Sequence, residues 1–228
     1  MKNKILWFIA ALPLIVTGIV LKAFPDEVPM HYDIQGNIDR WGSKNEQFIF
    51  PVIILGMTLF WQIFITFYSK KQARATEDKE RQEARKNQFI IYIAAFGTTI
   101  QFIIMHFCFL YSAWLEAGTG SSKMIIDINM VTFILLGILL VILGNFMPKA
   151  KRNAAFGLRT VWSMENDQTW AASQRAGGKA LIAAGILIVI CSLILDGLAL
   201  VAAGLFLIVA ASTAAVIFSH RAYVKYKE

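Results

Sequence analysis

Residues 144–179 read GNFMPKAKRNAAFGLRTVWSMENDQTWAASQRAGGK, a polar and basic island between two long apolar runs, 124–147 and 180–195. The island carries Lys149, Lys151, Arg152, Arg159, Arg175 and Lys179, with two tryptophans, Trp162 and Trp170, that an unconstrained linker would lack. Gly157 permits a turn that other residues resist. Asn166 or Asp167 is placed to cap a short helix through Gln174, and Gly177-Gly178 to end it. The stretch therefore reads as a structured connector between two membrane spans.

Outward from this island the chain is dominated by apolar runs. Of its 228 residues 57% are hydrophobic, and the mean hydropathy is +0.57. Soluble domains sit nearer 45–50% apolar. Six runs are long enough to cross a bilayer: residues 5–23, 49–68, 89–111, 124–147, 180–195 and 198–219. The fold class expected is an all-α polytopic membrane protein with six transmembrane helices. The first run has no small-residue cleavage site after it and reads as an uncleaved span. Asp196-Gly197 makes only a tight turn between the last two.

The connecting segments set the orientation. With the N-terminus in the cytosol, 18 of the 22 Lys and Arg residues fall inside and 4 outside. Such asymmetry is the positive-inside signature. It explains the net charge of +7 through topology, so no direct nucleic-acid partner is expected. Both termini, the second loop and the central loop are expected to be cytosolic. The second loop is the start of a third helix, beginning near Thr76 and entering the membrane near Phe89. Glu77 with Arg81 and Lys79 with Glu83 stand four apart on its surface. Residues 114–123 read as a short outer loop.

The first outer loop, residues 25–48, is acidic. Gly36-Asn37 is a two-residue hairpin signal. It predicts a register in which Tyr32 faces Trp41 and Asp33 faces Arg40. A lone hairpin is marginal, so it is expected to lean on the membrane surface or on the other outer loop. His31, Tyr32, Asp33, Asp39 and Trp41 form a candidate surface for an outer ligand. Within the spans, His106 is the clearest polar candidate, with Asp127 and Asp196 as the outer-end carboxylates nearest its depth; hydrogen bonding between helices is the plainer role for it. Cys108 and Cys191 lie in apolar runs and read as small hydrophobes. No nucleophile elbow, phosphate-cradling glycine loop, zinc-protease helix or Cys-rich zinc signature occurs. Neither catalysis, a metal nor a cofactor is expected.

The ordered set GNFMPKAKRN, GLRTVW and a tryptophan eight residues later resembles the SdpI family of bacterial membrane proteins. The chain departs from that pattern at Val161, where Pro is usual, and at Ser163, where Thr is usual. Pro25, Val28, Pro29, His31, Gly36, Asp39 and Trp41 resemble the small domain of unknown function that commonly heads such proteins. The resemblance implies three regions: 1–69, two spans with the acidic outer loop; 70–123, the charged helix start and third span; and 124–228, the SdpI-like spans with the central loop. It implies immunity to a secreted peptide toxin at the bacterial cell membrane, with signal transduction through a transcriptional repressor held at the membrane. Asn145, Pro148, Asn153, Gly157, Arg159, Thr160, Trp162 and Trp170 are then the candidate signalling or structural motif. Arg159 is expected to organise the loop, while Trp162 and Trp170 seat it among membrane lipids at the interface. A membrane-embedded hydrolase or a small-molecule or ion transporter is the alternative.

Overall fold

A computed structural model describes residues 1–153 and 155–227. Six helices are long and apolar enough to cross a membrane: α1 (Lys2–Val20), α2 (Ile49–Arg74), α3 (Asp78–Thr119), α4 (Ile128–Phe146), α5 (Asp167–Ser192) and α6 (Gly197–Tyr226). Strands β1 (Glu27–Tyr32) and β2 (Ile38–Ser43) form an antiparallel hairpin between α1 and α2. Large apolar side chains such as Phe8, Ile63, Phe206 and Val209 are exposed on the helix surfaces, as a lipid solvent requires.

The helices form two trios. In the first, Leu6 of α1, Ile65 and Tyr68 of α2, and Ile91 and Ala95 of α3 bury one another. In the second, Phe133, Ile188 and Leu200 join α4, α5 and α6. At 42 residues α3 is the longest element. It is about 63 Å long at 1.5 Å per residue, twice the thickness of the hydrocarbon layer at about 30 Å. It is therefore long enough to reach past both membrane boundaries. Its start is at Asp78 with Glu77 as the cap residue, close to the expected Thr76. Arg81 pairs with Asp78 at 3.3 Å, not with Glu77. At the other end the helix continues through Trp114 to Thr119, so the expected loop there is shorter and begins at Gly120.

Helix α5 corrects a second expectation. It runs unbroken through Gly177-Gly178. A glycine inside a helix costs about 1 kcal/mol relative to alanine, and close packing offsets that cost here. A Cβ on Gly178 would stand 2.5 Å from the Gly144 carbonyl oxygen, and one on Gly144 2.6 Å from that of Gly178. Gly137 and Gly185 repeat the arrangement two turns away. The glycines thus bring α4 and α5 backbone to backbone rather than stopping the helix.

Candidate functional site

On the acidic face the hairpin turn is built around Asp33. Its Oδ1 accepts the N–H groups of Gln35 at 2.9 Å and Asn37 at 2.8 Å, and Oδ2 accepts the Asn37 amide at 2.7 Å. The Asn37 side chain and these backbone donors hold the Asp33 carboxyl below its ordinary pKa. Gly36 takes a positive φ of 81° within the turn. The loop is consequently longer than a two-residue turn, and the register moves. Tyr32 pairs with Ile38, His31 with Arg40 and Pro29 with Trp41, with irregularities on either side of His31. Tyr32 does not face Trp41, and Asp33 does not face Arg40, because the Asp33 carboxylate is occupied by its own turn. Arg40 instead donates to Glu46 at 2.9 Å. His31 Nδ1 lies 2.6 Å from Asp39 Oδ1, with both side chains largely in solvent.

The hairpin leans on the second loop of the same face and on the end of α3. Ile38 N–H donates to the Ser122 carbonyl at 2.9 Å, and Met124 N–H to that of Gly36 at 2.8 Å. Val28 packs among Leu21, Phe24, Leu110 and Ala113. The fastening below it is Glu116, fully buried. Its carboxylate accepts the Tyr32 hydroxyl at 2.6 Å, the Ser112 hydroxyl at 2.5 Å and the Ile125 N–H at 2.8 Å. Burial first, then the bond to Glu116, raises the Tyr32 phenol above its ordinary pKa. Tyr32 is thus an anchor of the hairpin, whereas Trp41 is exposed. Sequence reading missed Glu116. It is the only acid in the run from Phe89 to Thr119, and that isolation was the available signal. Between hairpin and helices lies a cavity of about 370 Å³, lined in part by Met30, His31, Tyr32, Asp33, Glu46 and Phe109.

Within the membrane layer His106 is fully buried. Its Nε2 lies 2.8 Å from Thr17 Oγ1, and its ring stacks with Phe50 at 6.1 Å. Among the described residues no carboxylate joins it. Asp127 caps α4 by accepting the Met130 N–H at 3.0 Å, and Asp196 stands at the start of α6. His106 bonds between helices, which is its plainer role. Among the described residues no group of three or more His, Cys, Asp or Glu side chains is placed to hold a metal ion.

On the basic face, residues 150–166 hold no long regular element, yet buried amide side chains fix them. Asn87 of α3 clasps the backbone of Lys151, accepting its N–H at 2.8 Å and donating to its carbonyl at 3.2 Å. Gln174 of α5 does the same to Leu158, at 3.0 and 2.9 Å. Each amide supplies a loop peptide with the two bonds that a strand neighbour would give it. Asn153 accepts the N–H groups of Ala155 and Phe156 and the Tyr68 hydroxyl. Gly157 has φ 94°, and a Cβ there would meet Gln174 Oε1 at 2.7 Å. Thr160 Oγ1 lies 2.7 Å from Ser219 Oγ on α6. Trp170 is buried and donates to the Ala150 carbonyl at 2.7 Å, so it belongs to the core and not to the lipid interface. Trp162 stands edge-on to His220 at 4.8 Å. Pro148, in a short turn at Met147–Lys149, fits against Gly178; Asn145 lies in the last turn of α4.

Arg159 does not organise this loop. It is exposed, and no hydrogen bond or ion pair joins it to the described residues. The organising cation is Arg152. It donates to the Met164 and Glu165 carbonyls at 3.3 and 3.1 Å and pairs with Asp167 at 3.2 Å. Both arginines sit in basic surroundings, and only the fold tells them apart. In GLRTVW, Leu158 and Thr160 turn inward while Arg159 and Val161, 79% exposed, turn outward.

Fold and faces together define a six-span helical membrane protein with a fastened hairpin on one face and an ordered basic loop on the other. Residues 149–219 match the SdpI/YfhL protein family, and residues 8–55 match a domain of unknown function, DUF1648. The resemblance read from GLRTVW and its neighbours therefore holds, and the match covers most of the central loop, α5 and most of α6. The chain is 25% identical over 191 residues to the immunity protein SdpI of Bacillus subtilis, across 84% of this chain and 81% of that protein. No solved structure matches it.

Proposed function

We propose that this protein is a membrane immunity protein that protects its cell from a secreted peptide toxin without acting as an enzyme. The observation that carries this reading is the similarity to an immunity protein over most of both chains. In the orientation favoured by the charge asymmetry, the hairpin faces outward and meets the toxin first. Its cavity, edged by His31, Asp33 and Glu46, and its exposed Trp41 offer acidic and aromatic contacts to a peptide. Tyr32 holds that surface in place rather than contacting the ligand. The basic loop, with Arg159 and Val161 outward, is the surface for a cytosolic repressor.

Expression in toxin-sensitive cells tests the reading, with survival and toxin integrity measured together. Survival with intact toxin supports binding. Toxin fragments would instead support a hydrolase, for which His31 and Asp39 supply the nearest acid–base pair. Labelling of cysteines introduced at Thr76, Ser163 and Ser43 tests the orientation: an impermeant reagent reaches only the last in intact cells.

A further inference from the structure

The basic face holds a second cavity that toxin immunity leaves without a role. It measures about 1330 Å³ and lies between the start of α1, the first turns of α3, the Met147–Lys149 turn and the start of α5. Six cations line it: Lys2, Arg85, Lys86, Lys149, Lys151 and Arg152. Two carboxylates, Glu83 and Asp167, stand against them. Asp167 is engaged by Arg152, and among the described residues the other five cations have no carboxylate within ion-pair distance. Positive-inside topology requires cations on this face, but it does not require them to converge from separate segments on one hollow. Among the described residues the hollow keeps an excess of positive charge, which suits an anion from outside the chain.

Depth selects the anion. Lys2 Nζ stands 5.3 Å from the ring centroids of both Phe89 and Tyr92, and Lys149 Nζ 4.3 Å from that of Phe146. These rings lie where α3 and α4 leave their apolar runs, the level at which aromatic and cationic side chains meet lipid headgroups. The lining of the cavity therefore combines apolar side chains, Phe89, Ile90 and Trp170, with polar ones one to two turns earlier on α3, Gln82, Arg85 and Lys86. We propose that this cavity holds the phosphate headgroup of an anionic phospholipid from the leaflet that the basic face meets. Basic pockets between membrane helices suit such headgroups. Free phosphate shares the charge but gains nothing from the aromatic side chains. The site does not depend on the immunity reading.

The test uses the full chain purified in detergent and titrated with phosphatidylglycerol or phosphatidylcholine under native mass spectrometry. Wild type is expected to prefer phosphatidylglycerol by about tenfold or more. The triple variant Arg85→Gln, Lys86→Gln, Lys151→Gln should lose that preference. A charge-matched triple at the end of α6 and the residue after it, Arg221→Gln, Lys225→Gln, Lys227→Gln, should keep it. Should the first triple fold poorly, Arg85→Gln with Lys86→Gln alters only exposed positions and should lose a proportionate share. Equal loss in both triples, or equal retention of the two lipids, overturns the site. Displacement of the lipid by millimolar inorganic phosphate overturns the lipid assignment in favour of a free anion.

Discussion

The two faces of this molecule solve the same problem by opposite means. The hairpin satisfies most of its backbone through its own ladder, and its one buried polar fastening is Glu116, which ties Tyr32 of the hairpin to Ser112 of α3 and Ile125 of the neighbouring loop. The basic loop has no ladder. Asn87, Asn153 and Gln174 satisfy its peptides one at a time, each from a different part of the chain. Concentrated fastening makes the hairpin vulnerable to one substitution. Distributed fastening makes the loop vulnerable in small steps.

The sharpest test is Glu116→Ala. It strands the Tyr32 and Ser112 hydroxyls and the Ile125 N–H, and hydrogen bonds to a charged group are worth about 1.5–3 kcal/mol each. We expect the hairpin to release, with rapid proteolysis between residues 25 and 43 while the loop on the far face keeps its protection. Equal protection of the hairpin in the variant would show that the ladder and apolar seat suffice. Next comes Gly157→Ala on the basic face. A non-glycine residue at positive φ costs about 1–3 kcal/mol, and the new Cβ meets Gln174 as well. Proteolysis within residues 150–166 should rise several-fold, and thermal unfolding in detergent should barely move.

Arg152→Ala should cost about 1 kcal/mol of loop order, the net worth of a few partly exposed bonds. Arg159→Lys should leave proteolysis of the loop unchanged. A reversal of these two would restore Arg159 as the organiser. The smallest effect is acidification of the hairpin turn. The Asp33 pKa is lowered by folding. Its contribution is therefore present above the unfolded value of about 3.9 and is lost as pH falls through the still lower folded value. Amide chemical shifts of Gln35 and Asn37 should report turn loosening only in that acid window, and Asp33→Asn should abolish the pH dependence.

How much of this was legible in the sequence follows from how far apart the partners lie. The six spans were readable because an apolar run needs no knowledge of its neighbours. The cap at Asn166 was readable because its donors are two and three residues away. The hairpin register was not: a glycine-asparagine signal suggested a tight turn, while the Asp33 carboxylate closed a wider one. Gly177 and Gly178 looked like a helix stop because Gly144, against which α5 packs, lies more than thirty residues earlier. Glu116, Asn87 and Gln174 had the same difficulty. Each is a single polar residue whose partners are set by folding, with no local pattern to announce it.

Helix α3 carries both fastenings. Glu116 grips the hairpin from one end, and Asn87 grips Lys151 from the other. They are separated by about 44 Å of continuous helix, stiff along its axis. One stiff element therefore spans from the anchor of the hairpin to a clasp on the basic loop. The paired glycines hold α4 and α5 at backbone contact beside it. The ordered loop is tied to both, through Asn87 on α3 and Gln174 on α5.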